Sequence, residues 1–243
     1  MNNCILLVFE GEVSERVVWD SINRFYFCDE SSPLVYGIYG GEIYSLFHRM
    51  EKDPDLDLFT LLRQDKKNTE ILDGISRDKI SEIYLFFDYD GHAPDASDEK
   101  LAAMLGFFNE ETSNGKLYVS YPMVEAVRHL NSGVAFETVV AHCKKKIGYK
   151  NLVHEESEQE YKDIGRYTAA RWAFVISEHC KKLNHLMVDA FSLPETYFDQ
   201  ASVFERQIEK HIAPREEVAV VSAFPIFLLD YYGCSRFGKM LGA

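Results

Sequence analysis

No apolar run in this chain approaches the roughly 20 residues needed to span a bilayer. No basic n-region follows Met1, so neither a membrane span nor a secretory leader is expected. Cysteine is scarce. The five residues Cys4, Cys28, Cys143, Cys180 and Cys234 are odd in number and lack metal-ligand or redox spacing. That argues against a structural zinc site and for reduced thiols in a cytoplasm. A Gly-x-x-x-x-Gly-Lys-Ser/Thr loop is missing, so any ATP-driven step has to come from another protein. Internal repeats and low-complexity linkers are absent as well.

Positive charge is also in short supply. The chain has 26 Lys and Arg against 39 Asp and Glu, a net charge of −13. The deficit is local: residues 1–125 carry 24 acidic and 11 basic residues, whereas residues 126–243 carry 15 of each. A solvated acidic surface explains part of this. Carboxylates converging on a divalent cation would explain another part, because the cation offsets their repulsion.

What is present suffices for a core. With 243 residues, 47% of them hydrophobic, the chain can build one sizeable core, or a core with a helical annex. Cys4 to Phe9 is a continuous apolar run, the signature of a strand covered on both faces. Val13 to about Phe25 reads as a helix, 34–39 as a strand and 43–50 as a helix. Asp53-Pro54-Asp55 opens another helix to about Leu62. Ile83 to Phe87 is a third strand, Asp98 to about Phe108 a helix and Leu117 to Tyr121 a fourth strand. Pro122 then suits the first turn of a helix carrying Val124, Val127 and Leu130. This alternation predicts a mainly parallel α/β sheet of about four strands, with right-handed crossovers.

Beyond residue 130 helical spacing dominates. Phe136, Val139, Val140, Cys143 and Ile147 fit one stripe, and Trp172 to Leu186 another. Residues 195–211 and 218–232 also read as helical, with a break at Phe224-Pro225. Residues 154–163 read as a loop or an exposed helix start. The predicted organisation is a catalytic α/β domain over 1–130 and an α-helical extension over 131–243, packed on it or inserted beside it.

Acidic residues follow three of the buried strands: Glu10, then Asp88 and Asp90, then Glu125. Glu15 lies one turn into the helix after Glu10. Each alone reads as a helix cap or turn residue. Together they matter, because ligands of open α/β sheets collect at the carboxyl ends of the strands. Oxygen-only donors suit Mg²⁺ or Mn²⁺. Lys144, Lys145, Lys146 and Lys150 form the one dense basic run. It is expected on a helix, either as a solvated face or as a contact for a nucleic-acid backbone. Lys181 and Lys182 are the next candidates.

Phe9-Glu10-Gly11-Glu12-Val13-Ser14-Glu15, followed much later by Phe87-Asp88-Tyr89-Asp90-Gly91-His92, resembles the Toprim domain shared by topoisomerases, DnaG-type primases and OLD-family nucleases. The Glu-Gly-x-x-Ser-Glu spacing and Tyr121-Pro122-Met123-Val124-Glu125 are similar to small stand-alone Toprim proteins of bacterial phage defence, of the RloB and PARIS-effector types. The resemblance covers about residues 4–130. It implies a Rossmann-like Toprim fold with Glu10, Asp88 and Asp90 as catalytic and metal-binding residues. It also implies Glu15 and Glu125 as further metal-site acids. The implied function is a Mg²⁺- or Mn²⁺-dependent nuclease cleaving DNA or RNA, transfer RNA included. Such a protein would be the toxic effector of an anti-phage system that aborts infection, restrained by a separately encoded ABC/OLD-type ATPase. A homodimer is compatible with this reading.

Two other readings stay open. Phe86 to Gly91 resembles the nucleophile strand of haloacid-dehalogenase-like phosphatases, with Asp88 as nucleophile and Asp90 as acid/base. A non-catalytic Toprim module serving regulation or assembly is the other.

Overall fold

The computed structural model describes residues 4–27, 33–53, 55 and 57–241, which leaves Cys28 and Pro54 outside the described residues. The apolar runs of the first half become strands β1 (Cys4–Phe9), β2 (Leu34–Ile38), β3 (Ile80–Asp88) and β5 (Gly115–Ser120), all parallel. A two-residue strand β4 (Asn109–Glu110) pairs antiparallel with β5, giving one sheet in the order β2-β1-β3-β5-β4. Every residue of β1 is buried, which is why the run carries no polar alternation.

Helices α1 (Ser14–Tyr26), α2 (Ile43–Lys52), α3 (Leu58–Gln64) and α4 (Asp98–Phe107) supply the crossovers. From β1 the chain moves to β2 on one side; from β3 it moves to β5 on the other. Right-handed crossovers in opposite directions place α1 and α4 on opposite faces. The point of reversal lies between β1 and β3, where Phe9 is in register with Phe86. This switch point is where such sheets open a crevice.

The second half is less helical than its spacing suggests. The expected helix over 136–147 is instead a 3₁₀ turn (Phe136–Thr138) and a strand β6 (Val140–His142). Ile147, assigned to the inward stripe, is 36% exposed. β6 pairs antiparallel with β7 (Glu217–Ala219), a partner more than seventy residues away, so no local periodicity announced it. The predicted helix over 218–232 is correspondingly divided into β7 and α9 (Ala223–Tyr232). Pro225 does not break α9, because in a first turn its missing N–H has no partner to lose. Pro122 precedes a 3₁₀ turn (Val124–Arg128) rather than opening a helix. Helix α5 (Tyr149–Glu156) ends inside the stretch 154–163, expected to be a loop or an exposed helix start. Helix α6 (Ala169–Val188) matches its stripe, and α7 (Gln200–Gln207) runs into a π-helical turn (Ile208–Ile212) and a short α8 (Ala213–Arg215). The chain closes with α10 (Cys234–Met240).

Helix α9 covers the sheet face that Phe9, Phe86 and Tyr118 share. Phe224 stacks on Phe86 with ring centroids 4.6 Å apart, and Phe227 meets the Phe86 edge at 5.2 Å. Trp19 of α1 packs on Phe9 from the same side. Buried residues from Cys4 to Phe237 belong to a single hydrophobic cluster spanning both halves. No helix among the described residues is long and apolar enough to cross a membrane.

Candidate metal and phosphate site

Glu10 leaves β1 at the switch point. Its backbone N–H donates to the Phe86 carbonyl, and its carboxylate Oε2 accepts the backbone N–H of Asp88 at 2.8 Å. The side chain of the first strand's acid is thereby fixed onto the last residue of the third strand. Asp88 is 8% exposed. Two residues on, Asp90 takes a left-handed backbone with φ 42°, a conformation Asp tolerates better than most residues. Gly91 follows in a confined place. A Cβ there would stand 2.5 Å from the Tyr89 ring and 3.0 Å from the Cys143 carbonyl.

Glu15 is buried and turns back to accept the Gly11 N–H through Oε1 at 3.1 Å. A Cβ at Gly11 would lie 3.0 Å from Glu15 Oε2, so the carboxylate would have to shift to admit one. Glu125, in the 3₁₀ turn after β5, is 6% exposed. Its Oε1 lies 3.6 Å from Lys150 Nζ, while its Oε2 is buried without a hydrogen-bond partner.

Electrostatics bind the five into one group. Burial, opposed by the Asp88 N–H and reinforced by Asp90, Glu15 and Glu42, pushes the Glu10 carboxyl up to about 8. Burial, and then the charges of Glu10, Glu15, Asp90 and Glu125, hold Asp88 well above the ordinary carboxylate range. Burial also raises Glu15 and Asp90, the latter against the pull of His92. Glu42 is an acid the sequence reading missed. It sits at the N-cap of α2 just past the end of β2, so the strand-end rule that selected Glu10 would have selected it too.

Among the described residues, no group of three or more His, Cys, Asp and Glu stands assembled to hold a metal ion. Glu10 and Glu15 each have one oxygen committed to a backbone N–H. The chemistry of the donors nevertheless suits a hard cation. They offer only oxygen, their charge is buried, Lys150 is the one cation within ion-pair distance of Glu125 among the described residues, and Glu125 Oε2 has no hydrogen-bond partner among them.

Beside Asp90 opens a cleft of about 340 Å³, lined further by His92, His142, Lys145, Lys146 and Lys150. The basic run is not the expected helix. Lys144, Lys145 and Lys146 lie in the loop after β6, and only Lys150 is helical, in α5. Lys144 has a different attachment from its neighbours: its Nζ donates to Asp98 Oδ1 at 2.7 Å and to the Tyr89 hydroxyl at 2.8 Å. Lys181 pairs with Glu178, and Lys182 is 1% exposed.

No protein-family model, no curated protein and no solved structure matches the chain.

Proposed function

We propose that this protein is a divalent-cation-dependent nuclease of Toprim type. One observation carries the reading. Glu10 at the end of β1 accepts the N–H of Asp88 at the end of β3, and Asp90 and Glu125 follow at the same ends of β3 and β5, next to a cleft walled by lysines. A substrate that is itself a polyanion needs both parts. The lysines attract it, and the acids need a cation before it can approach them.

In this reading Asp88 and Asp90 hold Mg²⁺ or Mn²⁺, with Glu15 and Glu125 as further ligands. The bound ion supplies charge neutralisation at the scissile phosphate. Glu10 is held by the Asp88 N–H through one oxygen, which leaves the other to move a proton at the attacking or leaving oxygen. Lys145 and Lys146 orient the strand through its phosphates, without reading its sequence. The acidic first half also suits docking on a basic partner, consistent with a toxic effector restrained by a separate ATPase.

The test is cleavage of a panel of DNA and RNA with Mg²⁺ or Mn²⁺, run beside Glu10→Ala. Wild-type protein is expected to cut at least one substrate and the variant none. Turnover of a small phosphomonoester with intact nucleic acid would favour the phosphatase reading instead. A second expectation concerns the cleft. Changing Lys145 and Lys146 together to Ala should weaken nucleic-acid binding. It should also flatten the log-log salt dependence by about 0.7–0.9 per lost phosphate contact. Filter binding across a salt series measures this, and an unchanged slope would return the two lysines to the role of a solvated loop.

A further inference from the structure

A second concentration of positive charge shares no residue with the carboxylate crevice or its cleft. Helix α6 presents Lys182 and His185, the π-helical turn presents Lys210 and His211, and Arg215 follows in α8. These side chains line a pocket of about 180 Å³, with Glu137 and Asp189 as its acids. Lys182 is 1% exposed, and its Nζ donates to the carbonyls of Phe136 (2.8 Å) and Val139. Burial, opposed by Glu137, pulls the Lys182 amine down to about 7; its protonated form has three N–H donors, of which one is left over. Arg215 Nη2 lies 3.2 Å from His211 Nδ1. Arginine can only donate, so Nδ1 accepts and the His211 proton sits on Nε2. Lys210 is occupied with the Leu186 carbonyl and Asp189, and Arg215 donates through Nη2 to the Lys210 carbonyl and lies 3.4 Å from Glu217 through Nε.

A structural role accounts for Lys182 alone, as the tie between the turn at Phe136 and the start of β6. It does not account for His211 at the same pocket, whereas Arg215 is tied there by Glu217 and the Lys210 carbonyl. Nor does it account for the π-helical turn that brings Lys210 and His211 there, a feature frequently found at functional sites. Burial, and then Arg215, Lys182, Lys210 and His185, push the His211 imidazole down to about 4. The pocket's volume is below the roughly 300–1,000 Å³ of sites for drug-sized ligands, and it suits a single tetrahedral oxyanion.

We propose that this pocket is an anion site for a phosphate-sized oxyanion, either inorganic phosphate or the terminal phosphate of a longer molecule. Its donors are the third N–H of Lys182, the Nε2–H of His211 and the guanidinium of Arg215. The assignment does not rest on the nuclease reading.

Isothermal titration of the full chain with inorganic phosphate tests it. Saturable binding is expected in the wild type and equally in the Lys145→Ala/Lys146→Ala variant, whose cleft lies elsewhere. The His211→Gln/Arg215→Ala variant should bind at least about tenfold more weakly, the loss of one or more charge-assisted hydrogen bonds. Arg215 is exposed and His211 half-buried, and thermal unfolding at the wild-type temperature verifies that the variant is folded. Lys182→Met gives a second, independent loss. No saturation by about 10 mM phosphate, where even a weak millimolar site would fill, overturns the proposal. So does equal binding by the His211/Arg215 variant, or loss of binding in the Lys145/Lys146 variant. Competition then identifies the source. Displacement of phosphate by an oligonucleotide bearing a 5′-phosphate, but not by the same strand without it, assigns a terminal phosphate. Displacement by neither assigns the free ion, and equal displacement by both overturns recognition of a terminal group.

Discussion

Asp88→Asn is expected to stabilise the protein and silence it at once. Asp88 is nearly fully buried, and four neighbouring carboxylates oppose its ionisation. Removing that charge in the absence of metal should raise stability by about 1–4 kcal/mol, the scale seen when a buried ion pair is replaced by apolar residues of similar volume. At this chain length each kcal/mol corresponds to about 2–4 °C in Tm. Metal-dependent cleavage should fall by about a thousandfold or more, as when charge stabilisation of a transition state is removed. The sign of the pH dependence follows from the raised carboxyls. A group raised from 4.5 to about 8, as Glu10 is, binds more protons folded than unfolded between those values. Its contribution to stability is complete below pH 4.5 and is lost as pH rises through about 8. Metal-free wild type should therefore melt lower at pH 8 than at pH 5.5. Added Mg²⁺ should recover more at pH 8, and Asp88→Asn should narrow the gap. Calorimetric scans at the two pH values, with Mg²⁺ and with chelator, measure all of this. A Tm indifferent to both pH and metal would remove the physical basis of the site.

Trp172→Ala is expected to cost about 3–5 kcal/mol, the usual range for emptying a fully buried aromatic site. Trp172 is 0% exposed in α6, with Tyr167 edge-on at 5.0 Å. Its indole N–H donates to Ser21 Oγ of α1 at 2.9 Å. That hydroxyl donates onward to the Ile164 carbonyl and accepts from Arg24. The residue thus joins the second half of the chain to a helix of the first. Unfolding of the variant should remain one transition, with the sheet and α6 lost together. Truncation after residue 130 should give insoluble protein, because it uncovers Phe86 and Tyr118 where α9 now lies. Urea titration followed by far-UV and near-UV circular dichroism distinguishes one transition from two. Two separate transitions, or a soluble folded 1–130 fragment, would mean that the halves are independent.

The first half was legible because strands buried on both faces leave an unbroken apolar signature. Cys4–Phe9 and Ile83–Phe87 can be read that way with no knowledge of their neighbours. The strand-end acids were legible for a related reason: a parallel sheet gathers its carboxyl ends on one edge. Other features depended on distant residues. Val139 and Val140 extend because β7 lies beside them, and residues 136–147 offer the same spacing to a helix as to a turn followed by a strand. The basic run looked uniform as text. Only the fold separates Lys144, held by Asp98 and Tyr89, from Lys145 and Lys146, which line the cleft.

The attachment of Lys144 bears on what binding costs. The Tyr89 hydroxyl donates to Asp98 Oδ1 at 2.6 Å, and the Lys144 ammonium closes the triangle onto both. Tyr89 stands between Asp88 and Asp90, and Asp98 begins α4. The loop bearing the cleft lysines is therefore fastened, one residue before they begin, to the segment that bears the candidate acids. A wall fixed in this way has already lost much of its backbone freedom in the unliganded protein. A ligand entering the cleft then has to immobilise little more than the side chains of Lys145 and Lys146, about 0.5–1.5 kcal/mol each, while the loop that carries them stays as it was.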